Sequence, residues 1–393
     1  MPNTHYSFGA RRYRRAVPAI PAVLVIAVFM TISGTGGATA LRTGSVIRTT
    51  SVNGLTPSSV ADEPIAPKVV ASCGVGLGPM GIAYDPADRD LYVANSNHLN
   101  YSLPHHHGTI SVIGPGCDVI RTITLPAGSC PYSVAYDPQV EWMFVTDTCL
   151  SYIYVLSGPT ILHQISTGTG DSTFSATYDP LTGDMLVSDL FQDGTGIAVY
   201  HGTKQVEGNT AVCGASGWEC PSYSSIVIAD GKIFAGSESI VVVFDARTYH
   251  FLTWFYVSCN LGPLQAVLGT MMYNPVHRDI YYGALDDTTG TYCTFSPQNY
   301  AVLQSRTIPA LHAAAGIAYS PATRGIYIVA GGGPYPWLGA TQNSSDVWMV
   351  DPSGHLHALH LATDANPYAL AYDPLDGLTY VCGSGTDTVY AVS

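Results

Sequence analysis

From about residue 68 to its end the chain is a succession of short apolar runs, each stopped by Asp, Pro, Gly or Asn. Gly81-Ile82-Ala83-Tyr84, Ser133-Val134-Ala135-Tyr136 and Gly316-Ile317-Ala318-Tyr319 are runs of this kind. Each is halted by an Asp-Pro or Ser-Pro step, because proline removes a ladder donor and Asp or Ser favours a turn. A second run opens a few residues later, as in Leu91-Tyr92-Val93, Met143-Phe144-Val145 and Ile326-Tyr327-Ile328-Val329. A third follows, as in Thr109-Ile110-Ser111-Val112-Ile113 and Tyr152-Ile153-Tyr154-Val155-Leu156. An alternating fourth closes most copies, as in Val119 to Ile123 and His355 to Leu361. The pattern predicts four short antiparallel strands per copy.

The copies are counted from one anchor. Tyr84-Asp85-Pro86 recurs at Tyr136-Asp137-Pro138, Tyr178-Asp179-Pro180 and Tyr372-Asp373-Pro374, with softer versions at Tyr273-Asn274-Pro275, Tyr319-Ser320-Pro321 and Ile228-Ala229-Asp230. In six of the seven copies the second-strand residue matching Tyr92 lies eight residues after the anchor. The fourth departs: Phe234 comes only six residues after Ile228, which puts that copy's register in question. Pro79 to Ser393 is 315 residues, or 45 per copy. Seven units of that length and content predict an all-β, seven-bladed β-propeller of four-stranded antiparallel blades. The last copy stops at its third strand, Thr388 to Val392, while Lys68-Val69-Val70-Ala71-Ser72 precedes the first. Pairing those two segments protects both edges, so the last blade is expected to be closed by an N-terminal strand.

This grammar, with Leu91-Tyr92-Val93-Ala94-Asn95 and Met143-Phe144-Val145-Thr146-Asp147 as its clearest copies, resembles the YVTN-type β-propeller repeats of bacterial and archaeal surface proteins, from about Lys68 to Ser393. The resemblance implies export, a cell-surface location and a binding or scaffold role. It carries no catalytic residues that can be transferred to this chain.

The ends of the chain extend the picture. Arg11, Arg12, Arg14 and Arg15 precede an apolar stretch from Ala16 to Ile32, and Ala38-Thr39-Ala40 offers a small-residue cleavage site. Residues 1–40 therefore read as a signal peptide or an N-terminal membrane anchor, either of which exports the rest. Residues 41–66 read as a flexible linker and 67–393 as the propeller. Without residues 1–40 the chain keeps eleven basic against 28 acidic residues, a net charge of −17. That excess argues against nucleic acid as a partner, and contact with a membrane is expected only through the N-terminal segment. An extracytoplasmic protein or glycan partner fits better.

In an exported chain nine cysteines point to disulfides. Similar placement in blades two and five suggests Cys130–Cys149 and Cys259–Cys293. Proximity suggests Cys213–Cys220, and Cys73–Cys382 is expected as a lock on the ring seam, leaving Cys117 over. Asn100 and Asn343 stand in glycosylation-type tripeptides.

Candidate chemistry is thin. His105, His106 and His107 fall in the longest insertion of blade one, where imidazoles could take zinc, copper or nickel, or simply form a solvated loop. His355, His357 and His360 lie on an outer strand, where a solvent face explains them. The Asp of each Asp-Pro step resembles a carboxylate array, but turn chemistry accounts for it; the same holds for Asp286 and Asp287. Ser384 sits in a strand-to-loop turn and not in a nucleophile elbow. No phosphate-cradling glycine loop opens a helix, and no cofactor is expected. Tyr335 and Trp337, in a Gly- and Pro-rich insertion of blade six, and Tyr101 in blade one are candidate ligand-binding aromatics. The leading expectation is a cell-surface binding or scaffold module. The alternatives are an extracytoplasmic propeller enzyme, lactonase-like or quinone-linked, and a metal-handling module.

Overall fold

A computed structural model describes residues 66–97, 107–167, 173–189, 196–207, 223–237, 240–257, 269–284, 291–308, 314–331 and 344–393. The chain divides into two units, Met1–Val60 and Ala61–Ser393, and every described residue belongs to the second. Among them the regular elements are 28 strands in seven four-stranded antiparallel sheets. The chain forms a seven-bladed β-propeller. The inner strands, one per blade, are Pro79–Asp85, Pro131–Asp137, Thr173–Asp179, Ser225–Ala229, Gly269–Asn274, Ala314–Ser320 and Pro367–Asp373. Three of them begin with proline, whose missing N–H costs least at the first position of a strand.

The eight-residue spacing has a structural cause. In blades one, three, five and seven the turn after the inner strand closes on a backbone bond to the carbonyl four residues back: Arg89 N to Asp85, Gly183 N to Asp179, Arg278 N to Asn274, Gly377 N to Asp373, all 2.8–3.0 Å. The donating residue is in each case left-handed, as are Glu141 and Arg324 at the matching places in blades two and six. The turn is thus one length in six blades. The residues it delivers, Tyr92, Phe144, Leu186, Tyr281, Tyr327 and Tyr380, are all buried. Blade four replaces that turn with a two-residue Asp230-Gly231 hairpin, both at positive φ, so Ala229 pairs directly with Lys232 and Ile228 with Ile233. Positive φ at both central residues suits the right-handed twist of the flanking strands, and Gly231 accepts it without strain. Two fewer loop residues account for the shorter spacing, the blade is regular, and Phe234 is buried like its counterparts.

The ring closes as a shared blade. Val69–Gly74 is the outer strand of blade seven, paired with Thr388–Val392, and the sheet continues to Leu378–Gly383 and Pro367–Asp373. Lys68 and Ser393 exchange backbone hydrogen bonds at its far end. Apolar side chains fill the wedges between neighbouring blades; Ile82, Leu91 and Val93 of blade one, for example, pack on Tyr380, Val389 and Ala391 of blade seven.

The seam carries a disulfide, though not the expected one. Cys73 is bonded to Cys117, in the turn before blade one's outer strand, with Cα atoms 5.5 Å apart. Cys382 is a free thiol with no exposed surface, and burial pushes its pKa up. The register explains the correction. Cys73 and Cys382 both stand opposite Val389, one on each side of Thr388–Val392. Two strand spacings, about 9.6 Å, separate them, beyond the roughly 7 Å that a disulfide can span. Cys117 therefore has a partner and is not left over.

Candidate functional site

The inner strands line a central channel of about 320 Å³. Its walls are apolar side chains, among them Ile82, Ile226, Met271 and Ile317, and hydroxyl side chains, including Ser133, Ser175, Thr177, Ser225 and Thr270; among the described residues no acid, histidine, lysine or arginine lines it. Where the blade-to-blade connections enter, four bulky side chains crowd the axis. Met80, Tyr132, Phe174 and Tyr368 form one buried cluster with Cys130, against which Cys149 and Ala315 pack. The Tyr132 and Tyr368 hydroxyls are hydrogen-bonded to each other, although blade one separates their blades. Tyr132 also packs on Phe174 with ring centroids 4.0 Å apart. The Tyr368 hydroxyl is pushed up to about 12 by burial, which the bond from Tyr132 opposes. These four residues occupy one position of the repeat; blades four, five and six have Ser224, Gly269 and Ala315 there. Position-by-position alignment would have found the cluster, whereas reading for catalytic motifs passed over it.

Beside the cluster, Cys130 and Cys149 are disulfide-bonded, with Cα atoms 5.2 Å apart. Asp147, fully buried, holds this corner: its Oδ1 accepts from the backbone N–H groups of Cys130 (3.1 Å), Cys149 (2.9 Å) and Leu150 (3.1 Å). Burial raises its pKa against the pull of those three donors. Cys293 is buried and disulfide-bonded; Cys259, its expected partner, lies outside the described residues, as do Cys213 and Cys220.

The repeated carboxylates serve their own turns. Oδ1 of Asp85, Asp137, Asp179 and Asp373 accepts the N–H two residues on at 2.8–2.9 Å, and Asn274 does the same for Val276 at 2.9 Å. Burial pushes all four carboxyls above their ordinary value, while the turn N–H groups pull the other way. Ser384 donates to the Asn366 carbonyl at 2.9 Å within the loop it helps close.

Blade six gathers histidines on its outer edge. Asp351 pairs with His357 Nε2 at 2.9 Å and lies 3.6 Å from His355 Nδ1, while His360 pairs with Asp346 at 2.5 Å. Burial disfavours the Asp351 charge, but bonds from His357, Ser353 and the His355 backbone outweigh it and hold the carboxyl well below its ordinary range. His355 and His360 are about three-quarters exposed, as expected of an outer solvent face, but the His357 side chain is only 17% exposed, so a solvent face does not explain it and its bond to Asp351 does. In blade one, the His107 ring Nδ1 lies 2.9 Å from the Leu125 carbonyl and so donates to it. His105, His106, Tyr101, Asn100, Asp286, Asp287, Tyr335, Trp337 and Asn343 lie outside the described residues. Among the described residues no group of three or more His, Cys, Asp or Glu is placed to hold a metal, and no helix is long and apolar enough to cross a membrane.

Comparison with solved structures finds the β-propeller domain of Cps50 (Swd1) from Myceliophteria thermophila, with a TM-score of 0.61 over 83% of this chain and 99% of that one. At 11% identity the likeness is one of fold alone. No family model matches the chain, so the YVTN-type likeness rests on the repeat residues themselves. No curated protein matches it in sequence.

Proposed function

We propose that this chain is an exported binding or scaffold module that holds a protein partner on the propeller face where the blade-to-blade connections enter. The observation that carries this reading is the buried cluster that ties the inner strands together at that end of the channel. Met80, Tyr132, Phe174 and Tyr368 pack together there, over a channel wall in which no described residue is charged. A ring held by such contacts needs less reordering on binding, which favours protein recognition. The basic and apolar N-terminal segment and the disulfides support an extracytoplasmic location, with residues 1–40 either removed or retained as the anchor. A glycan at the cell surface is a further partner class within the same reading.

Photo-crosslinking on intact cells tests both parts. A crosslinker placed at Leu77 or Leu150, on the connection face, should capture a discrete protein partner, and one at Val276 or Leu375, in turns on the opposite face, should not. Adducts confined to the opposite face, or no adduct from either, would overturn the face assignment. Protection of the chain from protease added to whole cells would overturn the location.

A further inference from the structure

Each blade ends in an outer strand with one edge that, among the described residues, no other strand covers. An open edge is a template for further pairing, and proteins guard it with charged side chains, proline or a covering segment. Five blades place an ionisable residue on that strand: Arg121 in blade one, His163 in two, Lys204 in three, Arg306 in five and His360 in six. In blade seven the strand Val69–Gly74 is tied to blade one through the Cys73–Cys117 bond. Blade four has neither guard.

Its outer strand, Phe251–Tyr256, reads Phe-Leu-Thr-Trp-Phe-Tyr, with no charge and no proline. Phe255 faces inward and stacks on Tyr300 of blade five, ring centroids 5.2 Å apart, with Phe295 at the same distance. That packing fixes the strand. The side chains turned the other way stay in solvent: Trp254 is 36% and Tyr256 53% exposed, and they meet edge to face at 5.2 Å. Phe251 and Leu252, at the strand's start, are 44% and 46% exposed. From Thr253 to Tyr256 the pairing with Ile240 to Val243 is regular, so no bulge interrupts the edge there.

Four large apolar side chains on one edge leave in water a surface that a partner can bury. At about 150–250 Å² per large side chain, their exposed fractions add to roughly 350 Å². A stable pair of copies needs about 800 Å² from each. The acidic excess beyond residue 40, 28 residues against 11 basic, also sets two copies against each other. The patch has the size of one extended segment laid along the strand.

We infer that the outer strand of blade four is a docking edge, on which an extended apolar segment of another protein adds a fifth strand to the blade. Main-chain hydrogen bonds along the open edge supply affinity. Every second side chain of the segment lies against Trp254 and Tyr256, which selects β-branched or aromatic residues at those places. A carboxylate there would lose its hydration and meet no cation on this strand. The edge is on the rim of the ring and not on the connection face, so it stands independently of the reading above.

The test is titration of the full chain with two capped, fluorescently labelled peptides, Thr-Val-Thr-Tyr-Thr-Val and Thr-Ile-Thr-Val-Thr-Ile, read by anisotropy. Beside them go versions with Glu at the second and fourth places, and versions N-methylated at the odd or at the even places. At least one apolar peptide should bind saturably, and its Glu version and one of its two N-methylated versions about tenfold more weakly. Trp254→Glu and Tyr256→Glu, at exposed positions, should each weaken binding by about tenfold or more. Leu303→Glu, at an exposed place on blade five's outer strand, should leave it unchanged. If Trp254→Glu fails to fold, Tyr256→Glu still decides. Absence of saturable binding by both apolar peptides, undiminished binding of both N-methylated versions, or undiminished binding in the folded variants would overturn the proposal. So would a dimer of the full chain that Tyr256→Glu dissolves, since the occupant would then be a second copy.

Discussion

Tyr132 and Tyr368, 236 residues apart in sequence, join their hydroxyls across the top of the channel and tie blade two to blade seven over blade one. Tyr132→Phe leaves the Tyr368 oxygen without this partner in a buried place and should cost about 1–3 kcal/mol. In the double Phe variant neither hydroxyl remains to be satisfied, so the combined cost should be less than the sum of the two single costs. Urea unfolding of the four proteins gives the coupling directly; additive costs would mean that the bond contributes nothing.

Gly81 lies so close to the next blade that an added Cβ would meet the Tyr132 carbonyl oxygen, and a Cβ added at Gly316 would likewise lie 2.7 Å from the Tyr368 carbonyl oxygen. Backbone cannot yield as a side chain tip can. Gly81→Ala should destabilise the ring by about 3 kcal/mol, read from the urea midpoint. A variant within a few tenths of wild type would show that the blades can part there freely.

Burial raises the Asp179 pKa above its ordinary 3.8, with the turn bond to Leu181 opposing. Between the ordinary and the raised value the folded chain holds more protons than the unfolded one, so this group's contribution is present at low pH and lost as pH rises through that window. Asp179→Asn keeps the acceptor for Leu181 and removes the charge, as Asn274 does in blade five. Its melting temperature at pH 7 should rise by on the order of 1 °C, and its dependence on pH just above the ordinary carboxylate value should flatten. A lower melting temperature at both pH 4 and pH 7 would contradict this.

Non-reducing peptide mapping should recover Cys73 linked to Cys117 and Cys130 linked to Cys149. Cys382 should resist alkylation in the folded chain and react once denaturant is added. The double variant Cys73→Ser, Cys117→Ser should lose roughly 2–4 kcal/mol. A Cys73–Cys382 peptide would overturn the seam register.

Much of this was written in the sequence, because strand period and turn chemistry are local. The Tyr-Asp-Pro anchors and the eight-residue spacing could be read from neighbouring residues, and the pairing of residues 68–72 with the last strand from the fourth strand that the last copy lacks. What escaped depends on how blades sit against each other. Cys73 and Cys382 both look like seam residues until Val389 is seen between them, and the partner of Cys73 is set by the contact of blades seven and one. Tyr132 and Tyr368 share a Pro-Tyr start, but their meeting requires a closed ring. Blade four's short spacing was visible, yet its reason, a two-residue hairpin in place of the longer turn, needed the backbone.

The Cys73–Cys117 bond also bears on the order of assembly. As the chain is made or exported from its N-terminus, the strand Val69–Gly74 emerges more than 300 residues before the one it pairs with. A contact of that sequence separation is slow to find, and a waiting edge strand is exposed to wrong partners. Its cysteine, however, has a bonding partner only 44 residues away. Once oxidised, that short loop parks the strand against blade one, and the last-made segment meets a docked template instead of a loose end. Oxidation of that pair thus supplies more than rigidity: it shortens the search that completes the circle.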